Sequence, residues 1–322
     1  KVLQEDERDA PRSKELALWQ ATASEAFVLD AFIGLEKASQ LQAANADPAE
    51  IKAALEKSRA QLKLAEEKRL DTAATNFLLG RILEELELEN LALKQFIRTR
   101  RRHFASDAGF AAAIHEADIL MGLQLPDEAV LAFSRVLPEI DSFDRYRNRW
   151  LTQSDLRTRI RVILAWLLEA KQHEAAITMA NLSKHAFPRA EAVEMRSDAQ
   201  IAKGEQLDFE ADQRPADSKA LRSEANITFV AAGHSLELAS LRFTTRKYSD
   251  YLWKATEAYA EGNDYRSVIR VVRNYLREET QNRRPHALTL LGESQLALGQ
   301  SDASLRSLNA AIDQYPNHPI TY

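Results

Sequence analysis

Short amphipathic patterns follow one another along the chain, and from residue 73 onward they recur with a common layout. A small residue stands inside one apolar helix pattern, and about a dozen positions later another small residue stands inside a second. The last unit is the clearest: Gly292 lies in the first pattern, Gly299 ends it, Leu308 and Ala311 mark the second, and Pro316 closes it. This layout predicts a series of hairpins, each made of two helices.

Residues 1–72 lack this layout but also predict a helical hairpin. Apolar residues between about positions 13 and 44, among them Trp19, Phe27 and Phe32, fall mostly on one helical stripe. Asp47, followed by Pro48 and then by Glu50, predicts the start of a second helix, because this is the pattern of a capped helix N-terminus.

The small residues have a physical reason, because they let two helix axes approach closely where they cross. We expect Gly80, Ala92 and Gly292 at such crossings, with Phe96 and Leu308 filling the space beside them. The alternative interpretation is a helical bundle that is simply rich in alanine.

These patterns predict an organisation in four parts. A charged, polar stretch that starts at Gly204 is expected to interrupt the helices as a loop or hinge. The predicted parts are an N-terminal helical hairpin at 1–72, repeats at 73–203 with an Arg-rich insert at 139–154, the loop or hinge at 204–217, and C-terminal repeats at 218–322.

The recurring layout resembles that of the tetratricopeptide repeat (TPR) family, in a divergent form without the consensus tryptophan. The resemblance covers the chain from about Ala73 to Tyr322 and implies an all-α, right-handed α-superhelix of about six hairpins. The stretches 257–265 and 314–319 are also similar to TPR-like bacterial envelope proteins, of the outer-membrane assembly lipoprotein and Tol-Pal coordinator types.

Composition agrees with an all-α chain and narrows the chemistry. Only nine Gly and nine Pro occur in 322 residues, fewer than the many tight turns of an all-β fold need. No cysteine is present, which excludes disulfides, zinc–thiolate sites and cysteine nucleophiles. The longest apolar run, residues 162–168, is far shorter than the ~20 residues of a membrane span.

In TPR proteins the first helix of each hairpin lines a concave groove, and the resemblance implies the same here. The groove-facing candidates by repeat register are Arg81, His115, Asp118 and Arg161. The implied function is a non-catalytic scaffold that binds another protein, as a peptide or a helix, in that groove. The alternative for these four residues is a solvated inner face without a ligand.

Arginines suggest a second function, the binding of an anion or of nucleic acid. They cluster at 98–102 and at 145–161, where Tyr146 and Trp150 alternate with them. The candidate anion-binding residues are Arg100, Arg101, Arg145, Arg147 and Arg149. The net charge of −5 and the lack of an RNA-binding motif argue against nucleic acid. The alternative is that some arginines complement a helix C-terminus and the rest pair with Glu84, Glu85, Glu87 and Glu89.

Catalytic and metal-binding motifs are incomplete. Gly292-Glu293-Ser294 begins a nucleophile elbow whose final glycine is replaced by Leu296. A zinc-protease pattern begins at His115 but has Ile119 where the second histidine is needed. We therefore predict that the chain is not an enzyme and uses no metal or cofactor.

Three further expectations concern the setting of the protein. Residue 1 is Lys rather than Met, so we expect a leader or a membrane tether to have been removed upstream. A further repeat or domain is expected after Tyr322, and a terminal hairpin exposed there makes self-association an alternative. The envelope resemblance favours the bacterial periplasm or cell envelope over the cytoplasm.

Overall fold

The computed structural model describes residues 6–70, 72–242, 246–278 and 283–321. Across these ranges the chain forms fourteen α-helices and no β-strand, so the prediction of an all-α fold is confirmed. The helices are α1 Asp6–Ala43, α2 Pro48–Glu67, α3 Ala73–Glu85, α4 Glu89–Arg102, α5 Asp107–Gly122, α6 Pro126–Val136, α7 Gln153–Glu169, α8 His173–Leu182, α9 Arg189–Gln213, α10 Ser218–Ser240, α11 Arg246–Glu261, α12 Tyr265–Glu278, α13 Arg284–Ala297 and α14 Ser301–Gln314.

The chain divides into two compact units, residues 1–156 and residues 157–322. The division falls inside α7. Each unit is described below by itself.

Unit 1 contains three hairpins, α1–α2, α3–α4 and α5–α6. The second helix of one hairpin packs against the first helix of the next, as α2 does on α3 and α4 on α5. The first helices also touch one another, since α3 contacts both α1 and α5. We call the side of the stack formed by α1, α3 and α5 the first-helix face of unit 1.

Unit 2 repeats this arrangement with α9–α10, α11–α12 and α13–α14. Here too α10 packs on α11 and α12 on α13. Its core is built around Trp253, Tyr259, Val272 and Tyr275, all of them buried. The apolar residues of α12 lie on one side of that helix, which buries Val268, Val272 and Tyr275 and leaves its arginines toward solvent.

Close helix crossings hold the hairpins together, as the pattern of small residues predicted. A Cβ atom at Gly80 would lie 2.5 Å from the ring of Phe96, and one at Gly292 would lie 2.6 Å from Leu308. Ala92 is completely buried. A larger side chain at any of these positions would push the two axes apart.

The predicted loop at 204–217 is largely wrong. Helix α9 continues through Gly204 to Gln213, and only the next four residues form a turn before α10. Gly204 does not break the helix, because it is needed for packing: a Cβ there would lie 2.6 Å from the ring of Phe229 on α10. The glycine marks a helix crossing within the α9–α10 hairpin.

Local signals placed other elements correctly. Asp47 caps α2, since its side-chain oxygen accepts a hydrogen bond from the backbone N–H of Ala49 at 2.9 Å, and Pro48 opens the helix. The segment before Gln153 contains only two short 3₁₀ turns, Leu137–Glu139 and Phe143–Arg145.

In the described parts of the chain, every helix is too short or too polar to cross a membrane.

Replacing Gly80 by alanine tests the crossing. Gly80→Ala forces the new methyl group against Phe96 and should lower the free energy of unfolding by about 1–3 kcal/mol. The matched control is Gly122→Ala, because no heavy atom lies within 4 Å of a Cβ at that position. Urea denaturation followed by circular dichroism measures both. Equal stability of the two variants would contradict the packing argument.

Candidate protein-binding surface

Arg81, one of the predicted partner-binding residues, lies on the first-helix face of unit 1 and is held there by two carboxylates. Its Nε lies 3.1 Å from Oε2 of Glu84, and its Nη2 donates to Oε1 of Glu85 at 3.2 Å. Both glutamates are on α3, one turn from the arginine, which is the spacing at which helical side chains meet. These two ion pairs hold the guanidinium of Arg81 in one position on the surface.

His115 is buried, so the prediction that its side chain faces the groove is wrong. Its ring stacks on Phe96, with centroids 5.2 Å apart, and meets the edge of Phe77 at 5.6 Å. Its Nδ1 lies 2.9 Å from Oε2 of Glu84. His115 therefore positions Glu84, and through Glu84 it positions Arg81.

A recess of about 290 Å³ opens beside Arg81, between α1, α3 and the segment that precedes α7. Its apolar part comes from Phe32, Leu35, Phe77, Leu78 and Trp150. Its polar part comes from Glu36, Ser39, Gln42, Arg81, Glu85 and Arg149. We call it the α1–α3 recess.

Helix α1 presents apolar side chains to solvent next to this recess. Phe32 is 52% exposed and Leu29 is 59% exposed. Leu18, at 70%, stands at a helical spacing that places it on the same side of α1. A row of exposed large apolar side chains on one helix face is typical of a surface that binds another molecule.

The other two predicted partner-binding residues lie elsewhere. Asp118 is half-buried on α5, one turn after His115. Arg161 lies on α7 in unit 2, where it donates to Oε1 of Glu191 at 2.7 Å and stands 4.9 Å over the ring of Phe187. The structure therefore brings Arg81, Glu84 and His115 together, and the partner-binding role of all four predicted residues stays a prediction.

Unit 2 carries a larger cleft, of about 670 Å³, along α11 and its neighbours α9 and α13. Tyr251 and Trp253 are mostly buried there, and the charged residues around them are paired. Glu194 accepts from the hydroxyl of Tyr251 at 3.3 Å and from Nζ of Lys254. Arg283 lies 3.4 Å from Asp250. We call this the α11 cleft.

The pairing in the α11 cleft changes how two of its groups titrate. Burial, together with the nearby Glu194 carboxylate, raises the pKa of Tyr251 to about 12. Burial alone would lower the pKa of Lys254, but its hydrogen bond to Glu194 outweighs that effect and raises the pKa. The tyrosine is therefore neutral and the lysine charged at neutral pH.

The predicted anion site loses one of its members, because Arg100 is buried and paired. Its Nε donates to Glu116 at 2.7 Å and its Nη2 donates to the same carboxylate at 3.1 Å. Both side chains are less than a tenth exposed. Arg135 lies 3.5 Å from the same glutamate. Arg100 joins α4 to α5 and cannot reach a ligand in solvent.

Two more of the predicted arginines lie in the segment 139–152, which precedes α7, and both contact other groups of the protein. Arg147 donates to the backbone oxygen of Tyr146 at 2.8 Å. Arg149 donates to Glu25 on α1 at 3.1 Å and stands 4.9 Å over the ring of Trp150.

The two aromatic side chains of this segment are also occupied. The ring of Tyr146 lies 5.6 Å from Phe110, its hydroxyl donates to the backbone oxygen of Leu151 at 3.2 Å, and burial raises its pKa above the usual range. The ring of Trp150 lies 5.4 Å from Phe77. Neither ring is therefore free to stack on a base.

The other four members of the predicted anion site are exposed, and Arg147 and Arg149 make the contacts given above, which leaves Arg101 and Arg145. Neighbouring Arg98 pairs with Glu66 on α2 at 2.8 Å. Arg98, Arg100 and Arg149 do pair with glutamates, but with Glu66, Glu116 and Glu25 rather than with the predicted ones. An anion-binding role for the exposed arginines stays a prediction.

The incomplete catalytic and metal motifs do not form sites in the part of the chain that is described. Ser294, the serine of the apparent elbow, is fully buried inside α13. Among the described residues, no three His, Asp or Glu side chains are grouped so that they could hold a metal ion.

Sequence reasoning missed Phe32 as a surface residue and Trp253 as a lining residue of the α11 cleft. Phe32 was assigned to the buried stripe of α1, because a helix pattern does not say which apolar side its neighbours cover. The signal that could have found it is the width of the apolar stripe on α1, which is more than one neighbouring hairpin can bury.

Replacing Arg100 tests its assignment to the interior. Arg100→Met leaves the Glu116 carboxylate buried with only the distant Arg135, and we expect the free energy of unfolding to fall by roughly 3 kcal/mol. Arg101→Met, at an exposed position, should change it by less than about 0.5 kcal/mol. Urea denaturation of both variants measures the difference. Equal small losses would contradict the buried ion pair.

Comparison with known proteins gives similarity in fold only. No protein-family model and no curated protein matches the chain. A TPR protein from Parabacteroides merdae ATCC 43184 aligns at 12% identity with a TM-score of 0.34, over 91% of this chain and 96% of that one. The TPR domain of P58(IPK) aligns at 17% identity with a TM-score of 0.27, over 91% and 95%. Solved structures similar to this chain thus include TPR proteins, and the similarity to envelope proteins stays a prediction.

Proposed function

We propose that this chain is a non-catalytic scaffold that binds a segment of another protein, a peptide or a helix, on the first-helix faces of its hairpins. The observation that carries the proposal is the α1–α3 recess, where exposed apolar side chains of α1 stand beside a fixed pair of charges on α3.

This combination suits protein recognition. Covering the exposed part of Phe32 would contribute on the order of 1 kcal/mol, and Leu29 and Leu18 on the same side of α1 extend the apolar surface. The Arg81–Glu85 pair at the edge supplies hydrogen-bonding groups of both kinds, which fix the register of a partner more than they add affinity.

The receptor surface is ordered before a partner arrives. His115, held between Phe77 and Phe96, fixes Glu84, and Glu84 and Glu85 fix Arg81. Because these side chains are already immobilised, binding does not have to order them, and the entropic cost falls on the partner.

The α11 cleft is the corresponding surface of unit 2. It lies on first helices, and its charged residues are paired in the same way. Arg161 and Glu191 precede it on α7 and α9, and Glu191 stands one turn before the cleft residue Glu194. We assign Arg161 to this second surface and Asp118 to the first.

Site-specific photocrosslinking tests the proposal. A benzophenone amino acid is placed at Phe32, at the recess, or at Leu131, which has a similar exposure of 48% but lies on the second helix α6. In lysate of the organism that encodes the chain, the probe at position 32 should link to a discrete protein, and the probe at position 131 should not.

Two glutamate variants complete this test. With the probe moved to Leu29, on the same side of α1, Phe32→Glu should abolish capture, because a carboxylate cannot be buried in an apolar contact without cost, whereas Leu131→Glu should leave capture unchanged. Far-ultraviolet circular dichroism checks that both variants keep their helix content. Equal capture from both positions, or capture that survives Phe32→Glu, would show that the partner binds elsewhere.

A further inference from the structure

The α1–α3 recess has more acidic than basic groups around it. Two arginines, Arg81 and Arg149, face the carboxylates of Glu25, Glu36, Glu84 and Glu85. Each arginine is already engaged, Arg81 by two glutamates of its own helix and Arg149 by Glu25 and the ring of Trp150.

The carboxylates around the recess can accept further hydrogen bonds. The Glu36 side chain accepts a hydrogen bond from the side-chain amide of Gln40 at 3.3 Å. A carboxylate can accept about four hydrogen bonds, so oxygen lone pairs of Glu36, Glu85 and Glu25 remain to receive donors. The recess is therefore suited to a cationic partner group.

The chain itself shows how such a group sits on this surface. The ring of Trp150 lies against Phe77 of α3, and the preceding residue, Arg149, reaches Glu25 on α1. An aromatic side chain and an adjacent cation thus already span α3 and α1 on the first-helix face. Backbone contacts hold the segment in place, because the N–H of Arg149 donates to Asp107 at 3.0 Å.

The open recess next to Trp150 offers the same two kinds of contact, an apolar surface for a ring and carboxylates for a cation. Phe32 and Leu35 of α1 and Leu78 of α3 form an apolar floor, and Glu36 and Glu85 stand at its edge. A volume of about 290 Å³ is of the order of a small ligand pocket and accommodates one large side chain.

We infer that the α1–α3 recess binds a partner segment in which an aromatic side chain is accompanied, within two residues, by a lysine or arginine. The ring packs on Phe32 beside Trp150, and the cation pairs with Glu36 or Glu85. This inference rests on the proposed function, for which it names the chemistry of the partner.

Three labelled peptides test the inference on the full chain by fluorescence anisotropy. The first has the central sequence Arg-Asn-Arg-Trp-Leu-Thr, which repeats residues 147–152. In the second, alanine replaces the tryptophan, and in the third, glutamates replace both arginines. The first peptide should bind at least about tenfold more tightly than the other two, since it alone supplies both the ring and the cation.

Charge reversals on the receptor locate the binding. Glu36→Lys should weaken binding of the first peptide about tenfold. Asp30→Lys makes the same change of charge on the same helix, at an exposed position that does not line the recess, and should leave binding nearly unchanged. Higher ionic strength should weaken the wild-type interaction, because the pairs are close to solvent.

The outcomes separate this inference from the proposed function. If the glutamate peptide binds as well as the arginine peptide, or if none of the three binds, the inference is overturned. The proposed function then still stands when the probe at Phe32 captures a protein. An equal effect of Glu36→Lys and Asp30→Lys also overturns it, because binding would then follow net charge rather than the recess.

Discussion

The ring of Phe96 is the contact on which unit 1 depends. It reaches from α4 across the hairpin to the backbone of Gly80 on α3, where no side chain could be accommodated. Its other sides meet Phe77 of α3, at 6.0 Å, and His115 of α5. One fully buried ring thus fixes the crossing within a hairpin and the packing of that hairpin on the next.

The charged groups of the first-helix face follow from that packing. His115 is held against Phe96, Glu84 meets His115, and Arg81 meets Glu84. A second buried pair, Arg100 with Glu116, joins α4 and α5 nearby. Charges in the interior are tolerated only when they are paired and hydrogen-bonded, and here the pairs also determine which charged atoms reach the surface. The edge of the recess is therefore set by the core beneath it.

The sequence was informative about contacts close along the chain and less so about distant ones. Gly80, Ala92 and Gly292 were correctly placed at helix crossings, because hairpin partners are only 12–16 positions away and their pattern repeats. Gly204 was misread, since a glycine that makes room for Phe229 looks locally like a helix breaker.

The candidate site could be predicted only in part for the same reason. Arg81 was found from the repeat register, but the burial of His115 depends on α3 and α4, and Arg100 meets Glu116 only when α4 packs on α5. The recess also needs Trp150, from a segment that contributes no helix. Side chains from three separate parts of the chain form this site, and a single helix pattern cannot indicate their meeting.

Carbene footprinting of the chain, with and without its captured partner, shows directly whether a partner covers the first-helix face of unit 1. We predict that labelling of Phe32 and Leu29 on α1 falls in the complex, while labelling of Leu91 and Leu131 on the second helices α4 and α6 does not change. Loss of labelling on α4 and α6 with unchanged labelling of α1 would contradict it.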